Sequence, residues 1–416
     1  MKIPKALPFP MFQTVDAFAQ KRPARPFDTG SVADTIQRAL AAAGLDTQSG
    51  PMQGVTDTIH RALSAAGLSR RAVTPGANDA RGETIDGTSR RIDATCGDID
   101  GTQPEPAAPV DAPLAGAFLN RSYTNHAGTR DYKLYVPARY AADPDARAPV
   151  IVMLHGCTQS PDDFAAGTRM NALADRFGFL VIYPAQAANA NGSRCWNWFR
   201  PEDQVRDAGE PSLIAGITRE VASAWRVDAR RIFVAGLSAG ASMALILGAM
   251  YPELYAAIGA HSGLPRGAAH DMPSAFAAMQ GNAAQSGRFN SSSTATLDRD
   301  GESFRTPTIV FHGDHDRTVN ARNADAIVGQ AAASGPDGEP LRAEVRTGQA
   351  PGGRQYSRTD YLDDADRSVV EHWVVHGAGH AWSGGSPNGS FTDPAGPDAS
   401  AEMIRFFLAQ RRAGTA

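Results

Sequence analysis

The sequence has very little lysine. It occurs only at Lys2, Lys5, Lys21 and Lys133, and arginine carries nearly all of the positive charge. No basic excess results, because the net charge is −4 and charged residues make up 20% of the chain. Nucleic-acid and membrane-surface binders usually carry such an excess, so no nucleic-acid partner is expected. Cysteine is scarce as well, present only as Cys96, Cys157 and Cys195. An odd count leaves at least one thiol unpaired within the chain, and no CxxC or Cys/His spacing points to a structural zinc, so no metal is expected. No run of 18 apolar residues is long enough to span a bilayer. The opening MKIPKALPFPMF is interrupted by Pro4, Pro8 and Pro10 and has no continuous apolar stretch, so it does not read as a secretory signal peptide.

What is present suffices for a substantial core. The chain has 416 residues, 42% of them hydrophobic, which leaves room for one large α/β domain with an appendage. Residues 1–113 differ from the rest and read as an N-terminal extension, with the main domain over 114–412. Within the extension, VADTIQRALAAAGL at 32–45 is repeated as VTDTIHRALSAAGL at 55–68. In each copy the apolar residues (Val32, Ile36 and Leu40; Val55, Ile59 and Leu63) recur at helical spacing, and Gly44 or Gly67 stands where a helix would stop. Helices this short are marginal alone in water, so they are expected either to pack locally or to dock on an apolar surface. The stretch from Ser69 to Pro113 is rich in Pro, Gly, Ala, Asp and Arg and is expected to be a disordered linker.

From Tyr123 onward, strand and helix patterns alternate. Strands are expected at Asp131–Pro137, Pro149–Leu154, Phe179–Tyr183, Ile232–Ala235, Tyr255–Ala260, Thr308–Phe311 and His372–Val375. Helices are expected from Ser160, over Leu213–Trp225, over Ala239–Met250 and over Ala399–Arg411. Apolar strands alternating with helices imply an α/β fold, a mostly parallel sheet with helices on both faces. The polar segment Leu264–Arg305 interrupts the pattern and is expected to form part of a cap or rim.

Gly236-Leu237-Ser238-Ala239-Gly240 fits G-x-S-x-G, and its setting between the strand Ile232–Ala235 and the helix Ala239–Met250 is that of a nucleophile elbow. An ordinary small-residue turn is the alternative. A serine nucleophile needs a base, and the base needs an orienting acid, in the chain order Ser, Asp, His for this kind of fold. Downstream lie His312-Gly313-Asp314-His315-Asp316, after one strand, and Gly377-Ala378-Gly379-His380-Ala381-Trp382, after another. His380, flanked by glycines, is the candidate base, and His376 is its competitor. The cluster His312, Asp314, His315 and Asp316 also resembles metal ligands, but no second ligand cluster accompanies it. The oxyanion hole requires two backbone amides, one from Ala239 and one from the loop Leu154-His155-Gly156-Cys157, through Cys157, with His155 bracing that loop. A structural His-Gly turn is the alternative there. Trp196 and Trp198 follow a Gly/Asn-rich loop, and with Trp382 they are candidates for an apolar substrate wall; core packing is the other reading.

Together, LHGCTQ (154–159), CWNWF (195–199), GLSAG (236–240), HGDHDRTV (312–319) and GAGHAWSGG (377–385) resemble the poly(3-hydroxybutyrate) depolymerase family of esterases, over roughly Gly116 to Arg411. The resemblance implies an α/β-hydrolase fold and ester hydrolysis without a cofactor. It implies Ser238 as nucleophile, Asp316 as acid, two residues before the Thr-Val step, and His380 as base. It implies short-chain hydroxyalkanoate esters or oligomers as substrates, with acetyl or feruloyl esters of plant polysaccharide as the alternative. A non-catalytic binder of apolar granules, anchored by the repeated helices, is the rival of another class. Cys157 and Cys195 flank the expected site on loops after neighbouring strands and are expected to form a disulfide, with two buried free thiols as the alternative. The family and that disulfide favour an extracellular location, with the cytoplasm as the alternative.

Overall fold

The computed structural model describes residues 116–142, 145–282, 306–332 and 341–412. The N-terminal extension, with its repeats at 32–45 and 55–68, its linker and Cys96, lies outside the described residues.

The ten main strands are β1 (Ala117–Asn125), β2 (Gly128–Val136), β3 (Ala148–Leu154), β4 (Leu180–Pro184), β5 (Val227–Leu237), β6 (Ala257–His261), β7 (Thr308–Gly313), β8 (Arg342–Gln349), β9 (Gln355–Leu362) and β10 (Ser368–Val375). They form one sheet in the order β1-β2-β4-β3-β5-β6-β7-β10-β9-β8. The six central strands from β4 to β10 pair in parallel, and antiparallel hairpins close both edges. Between them run α1 (Ala138–Ala142), α2 (Pro161–Thr168), α3 (Met170–Phe177), α4 (Gly209–Ala224), α5 (Ala239–Met250), α6 (Met272–Met279), α7 (Arg322–Ala332) and α8 (Ala399–Ala409).

The period of two along the strands divides the core into two layers. Val150, Val152, Leu154, Ile232 and Val234 face α4, α5 and α7, where Ile214, Ile217, Met243, Leu247 and Ile327 pack. Ile151, Met153, Phe233 and Ala235 face α2, α3 and α8, where Phe164, Met170, Met403 and Phe407 pack. Both faces of β3 and β5 are therefore apolar, which is why their sequences are continuous hydrophobic runs. α2 starts as its sequence requires: the Ser160 side chain accepts from the Asp163 amide, Pro161 takes the first position, and Asp162 and Asp163 fill the first turn.

Strand positions follow the expected pattern, with shifted ends: β5 begins at Val227, β7 runs on to Gly313, and α4 starts at Gly209. Seven of these elements were not expected: β1, β8, β9, α1, α3, α6 and α7. β1 and β8 are edge strands with mostly exposed residues on both faces, so no apolar alternation marks them. α6 lies inside the 264–305 segment, started by a capping box at Asp271 and Ser274, while residues 283–305 lie outside the described part. Among the described residues no helix is long and apolar enough to cross a membrane.

The direction of the crossovers reverses between β3 and β5: β4 lies on one side of this pair, and β6 and β7 on the other. Such a switch point leaves a crevice outside the carboxyl ends of the strands. The loops after β3 and β5 flank that crevice, and the loops after β7 and β10 close on it.

Candidate active site

β5 delivers Ser238 on a sharp turn. The residue has φ 57° and ψ −120°, a conformation costing about 1–3 kcal/mol for a residue with a side chain. Its amide donates to the His261 carbonyl at 2.8 Å, which pins the turn to the end of β6. The flanking glycines are sterically required. A Cβ on Gly240 would stand 2.1 Å from the Leu154 carbonyl oxygen, and one on Gly236 would stand 2.4 Å from Gly240. The elbow thus fits against β3 only because both side chains are missing. Thr158 (φ 66°) and Ser262 (φ 52°) are further non-glycine residues in the left-handed region beside this turn.

Helix α5 opens immediately at Ala239, so its first amides have no carbonyl partner within the helix and point at the crevice as a partial positive charge. Opposite lies the turn after β3. There Thr158 donates its amide to Ser193 at 2.7 Å and Gln159 to Gly156 at 3.3 Å, whereas the Cys157 amide makes no such bond among the described residues. His155 braces the turn from below. It is buried, its Nε2 accepts the Gln186 amide at 3.1 Å, and its protonated Nδ1 donates to the Gly156 carbonyl at 2.8 Å. Burial pushes the His155 pKa down to about 4, so the ring stays neutral.

His380 stands on the loop after β10. Its Nδ1 donates to Asp316 Oδ2 at 2.7 Å. Asp316 is fixed from three sides: Oδ1 accepts the Thr318 and Val319 amides, each at 2.8 Å, and His312 Nε2 lies 3.4 Å from Oδ2. Burial raises the Asp316 pKa, but the hydrogen bonds from His312 and His380 outweigh it and hold the carboxyl well below the usual carboxylate range. Gly313 permits this close approach, since a Cβ there would meet the Ala378 carbonyl oxygen at 2.3 Å. Among the described residues the Ser238 hydroxyl has no hydrogen-bond partner; a bond to His380 is one for the substrate complex to close, as catalytic hydrogen bonds often are.

The competing residues form a separate pair. His376 Nδ1 bonds Asp314 Oδ2 at 2.9 Å, and Asp314 Oδ1 accepts the Gly377 amide at 2.7 Å, both near the surface. The His312–Asp316 segment is thereby split between two partners. Among the described residues no group of three His, Cys, Asp or Glu side chains converges as a metal site would require.

The expected tryptophan wall is corrected. Trp196, Trp198 and Trp382 are 0%, 6% and 1% exposed. The Trp196 indole donates to the His155 carbonyl at 3.1 Å, and Trp382 donates to Ser400 Oγ at 3.0 Å, so both polar edges are satisfied inside the core. Trp198 packs edge-on against Phe199. These rings are buried and present no open face to a substrate.

Cys157 and Cys195 form a disulfide with Cα atoms 4.2 Å apart. It ties the turn after β3 to the CWNWF loop, and closing a 38-residue segment is worth about 4 kcal/mol in the chain-entropy account. Thiol titration of denatured, unreduced protein is expected to count one thiol, that of Cys96; a count of three would refute the bond.

Three residues whose contacts hold the loops around the site went unnoticed in the sequence. Gln159 accepts the Gly156 amide at 2.9 Å and donates to Asp163 and Ser390, locking the turn after β3 to the segment that follows His380. Glu210, buried, accepts the backbone and side-chain amides of Asn197, each at 2.7 Å, and pairs with Arg130 at 3.2 Å, so it holds the CWNWF loop. His261 is the third. A glutamine two residues past a cysteine gave Gln159 a weak signal; the other two act over distances in the chain that no local pattern carries.

Residues 130–334 match the family model described as Esterase PHB depolymerase. Poly(3-hydroxyalkanoate) depolymerase C of Paucimonas lemoignei is 31% identical over 258 residues, 61% of this chain and 59% of that protein. Feruloyl esterase B of Neurospora crassa is 36% identical over 131 residues, 31% of this chain and 42% of that protein. The chain thus spans between two and three fifths of these relatives' own length. Among solved structures, an acetyl xylan esterase from Aspergillus awamori superposes with a TM-score of 0.54 at 19% identity, covering 71% of this chain and all of that one. That likeness is one of fold, the α/β-hydrolase fold. The family model and the depolymerase relatives point the same way: the chain is similar to proteins of the esterase PHB depolymerase family.

Proposed function

We propose that the protein hydrolyses carboxylic esters through an acyl-enzyme on Ser238. The observation that carries the reading is the His380–Asp316 pair, held at 2.7 Å on loops that close over a serine at a strained strand-to-helix turn. His380 Nε2 takes the Ser238 proton as Oγ attacks the ester carbonyl. The amides of Cys157 and Ala239 receive the oxyanion, each such donor being worth about 10²–10³ in rate. The alcohol leaves with the proton from His380, and water, deprotonated by the same ring, releases the acid. Asp316 holds the ring with its proton on Nδ1 and supports the imidazolium. No step in this sequence calls on a cofactor.

Short-chain hydroxyalkanoate esters or oligomers are the substrates of this reading. Relatives named as feruloyl and acetylxylan esterases make polysaccharide esters the second reading. Hydrolysis of 3-hydroxybutyrate oligomers, acetylated xylan and methyl ferulate under one condition separates the two. Turnover of p-nitrophenyl butyrate tests the class, and a folded protein that turns over no ester would leave the granule binder standing. An extracellular site of action is part of the reading, since a disulfide beside the site persists in oxidising compartments.

The extension is assigned no chemistry. A chain lacking residues 1–113 is expected to keep its kcat on p-nitrophenyl butyrate within about twofold, because every residue of the mechanism lies after that segment. Weakened binding of the shortened chain to hydroxybutyrate granules would place apolar docking in the repeats. A large loss on the soluble ester would mean that the extension belongs to the catalytic unit.

A further inference from the structure

His261 ends β6, the strand beside β5. Its carbonyl accepts the Ser238 amide at 2.8 Å. Its ring is buried, and Nε2 accepts the amide of Ser383 at 3.0 Å, 122 residues further along the chain and just past His380. The ring is clamped between Phe311 at the end of β7 and Trp382, with centroids 5.8 and 5.1 Å away and planes inclined by 10° and 24°. Because Nε2 accepts, the proton sits on Nδ1, which lies 3.1 Å from Ser262 Oγ.

We propose that His261 is a positioning residue for the ester hydrolysis, registering the Ser238 turn, through its carbonyl, against the loop that carries His380, through its ring and Ser383. The inference rests on the roles given above to Ser238 and His380. Those two groups come from opposite sides of β6 and β7, and no direct bond joins them in the resting protein. Their separation is therefore set by whatever both are fastened to, and His261 is fastened to both. Burial, with His312 and His380 nearby, pushes its pKa down to about 3, so the Nε2 lone pair remains available to Ser383 at any working pH. Trp382 adds a second constraint on the same loop, since it stacks on the ring and bonds Ser400.

Three substitutions read this out. His261→Phe keeps the stack and removes the acceptor. His261→Gln places Oε1 near the position of Nε2, whereas His261→Asn places its oxygen near Nδ1, out of reach of Ser383. On p-nitrophenyl butyrate, Phe and Asn are expected to lower kcat about 10–100-fold, the cost of misplacing reacting groups by about an ångström, with KM within about twofold. Gln is expected to recover most of the loss. Near-ultraviolet circular dichroism checks each fold, and if the Phe variant does not fold, the Gln–Asn comparison decides. Equal kcat in Gln and Asn, a Phe variant within about twofold of wild type, or a loss confined to KM would overturn the proposal. Wild type and Ser238→Ala run alongside: an active wild type with an inactive Ala variant leaves the esterase reading intact whatever His261 does, and a wild type without turnover defeats that reading itself.

Discussion

Ser238→Ala is expected to lower kcat on p-nitrophenyl butyrate by about 10⁴-fold or more while leaving the fold intact. The loss is large because, in the proposed mechanism, the hydroxyl is the atom that bonds to the acyl group. What remains is the contribution of the oxyanion amides and of substrate binding, which water can still exploit. The fold is expected to survive for local reasons. In the resting protein the hydroxyl has no hydrogen-bond partner among the described residues, so its removal strands no buried donor or acceptor. Alanine keeps the Cβ, so the strained φ of 57° is neither relieved nor worsened. The turn stays pinned by the Ser238 amide to the His261 carbonyl, a bond the substitution does not touch. Turnover measured beside circular dichroism and a thermal midpoint checks both halves. Retained activity in a folded variant would end the acyl-enzyme reading.

The elements that were legible share one property: their chemistry is local in the chain. The elbow is readable because an apolar strand, a glycine-flanked serine and a helix follow one another directly, and the structure adds that the glycines are demanded by Leu154 and Gly240. The central strands were readable because both their faces are buried. β1 and β8 were not, since an edge strand exposed on both faces has no hydrophobic period to display. The site shows the same division. His380 stands out through its glycine-flanked loop after a strand, whereas Asp316 shares the loop after β7 with Asp314 and is singled out by the family resemblance. His261 does not stand out, because its importance lies in a bond to Ser383 across the fold. The tryptophans misled for a related reason: an indole beside a glycine-rich loop looks exposed until its N–H finds an internal acceptor such as the His155 carbonyl. Local sequence reveals which groups can react, while the contacts that hold them in register are set by tertiary packing.

Asp316→Asn is expected to lower kcat by about 10⁴-fold, and Asp314→Asn by no more than a few-fold. Both carboxylates follow β7, so the difference rests on their partners. Asp316 Oδ1 is committed to the amides of Thr318 and Val319. In the Asn variant these donors demand an oxygen at that position, which turns the NH₂ group toward His380. That group is a donor and so is Nδ1–H, and the conflict is relieved only when the imidazole moves its proton to Nε2. Nε2 then faces Ser238 already protonated and cannot serve as its base. His312 offers no escape, since its Nε2 lies 3.4 Å from Asp316 Oδ2 with its proton directed to the Val319 carbonyl and that oxygen. The substitution therefore leaves the geometry in place and inverts the tautomer. Asp314 is different. It lies near the surface, its Oδ1 accepts the Gly377 amide, and an asparagine oxygen accepts that amide equally well. Its other partner, His376, is bonded on the far side by Ser357, so that ring keeps a neighbour. kcat for the two variants, each checked for folding, decides the assignment. Loss of activity in Asp314→Asn with activity kept in Asp316→Asn would reverse it.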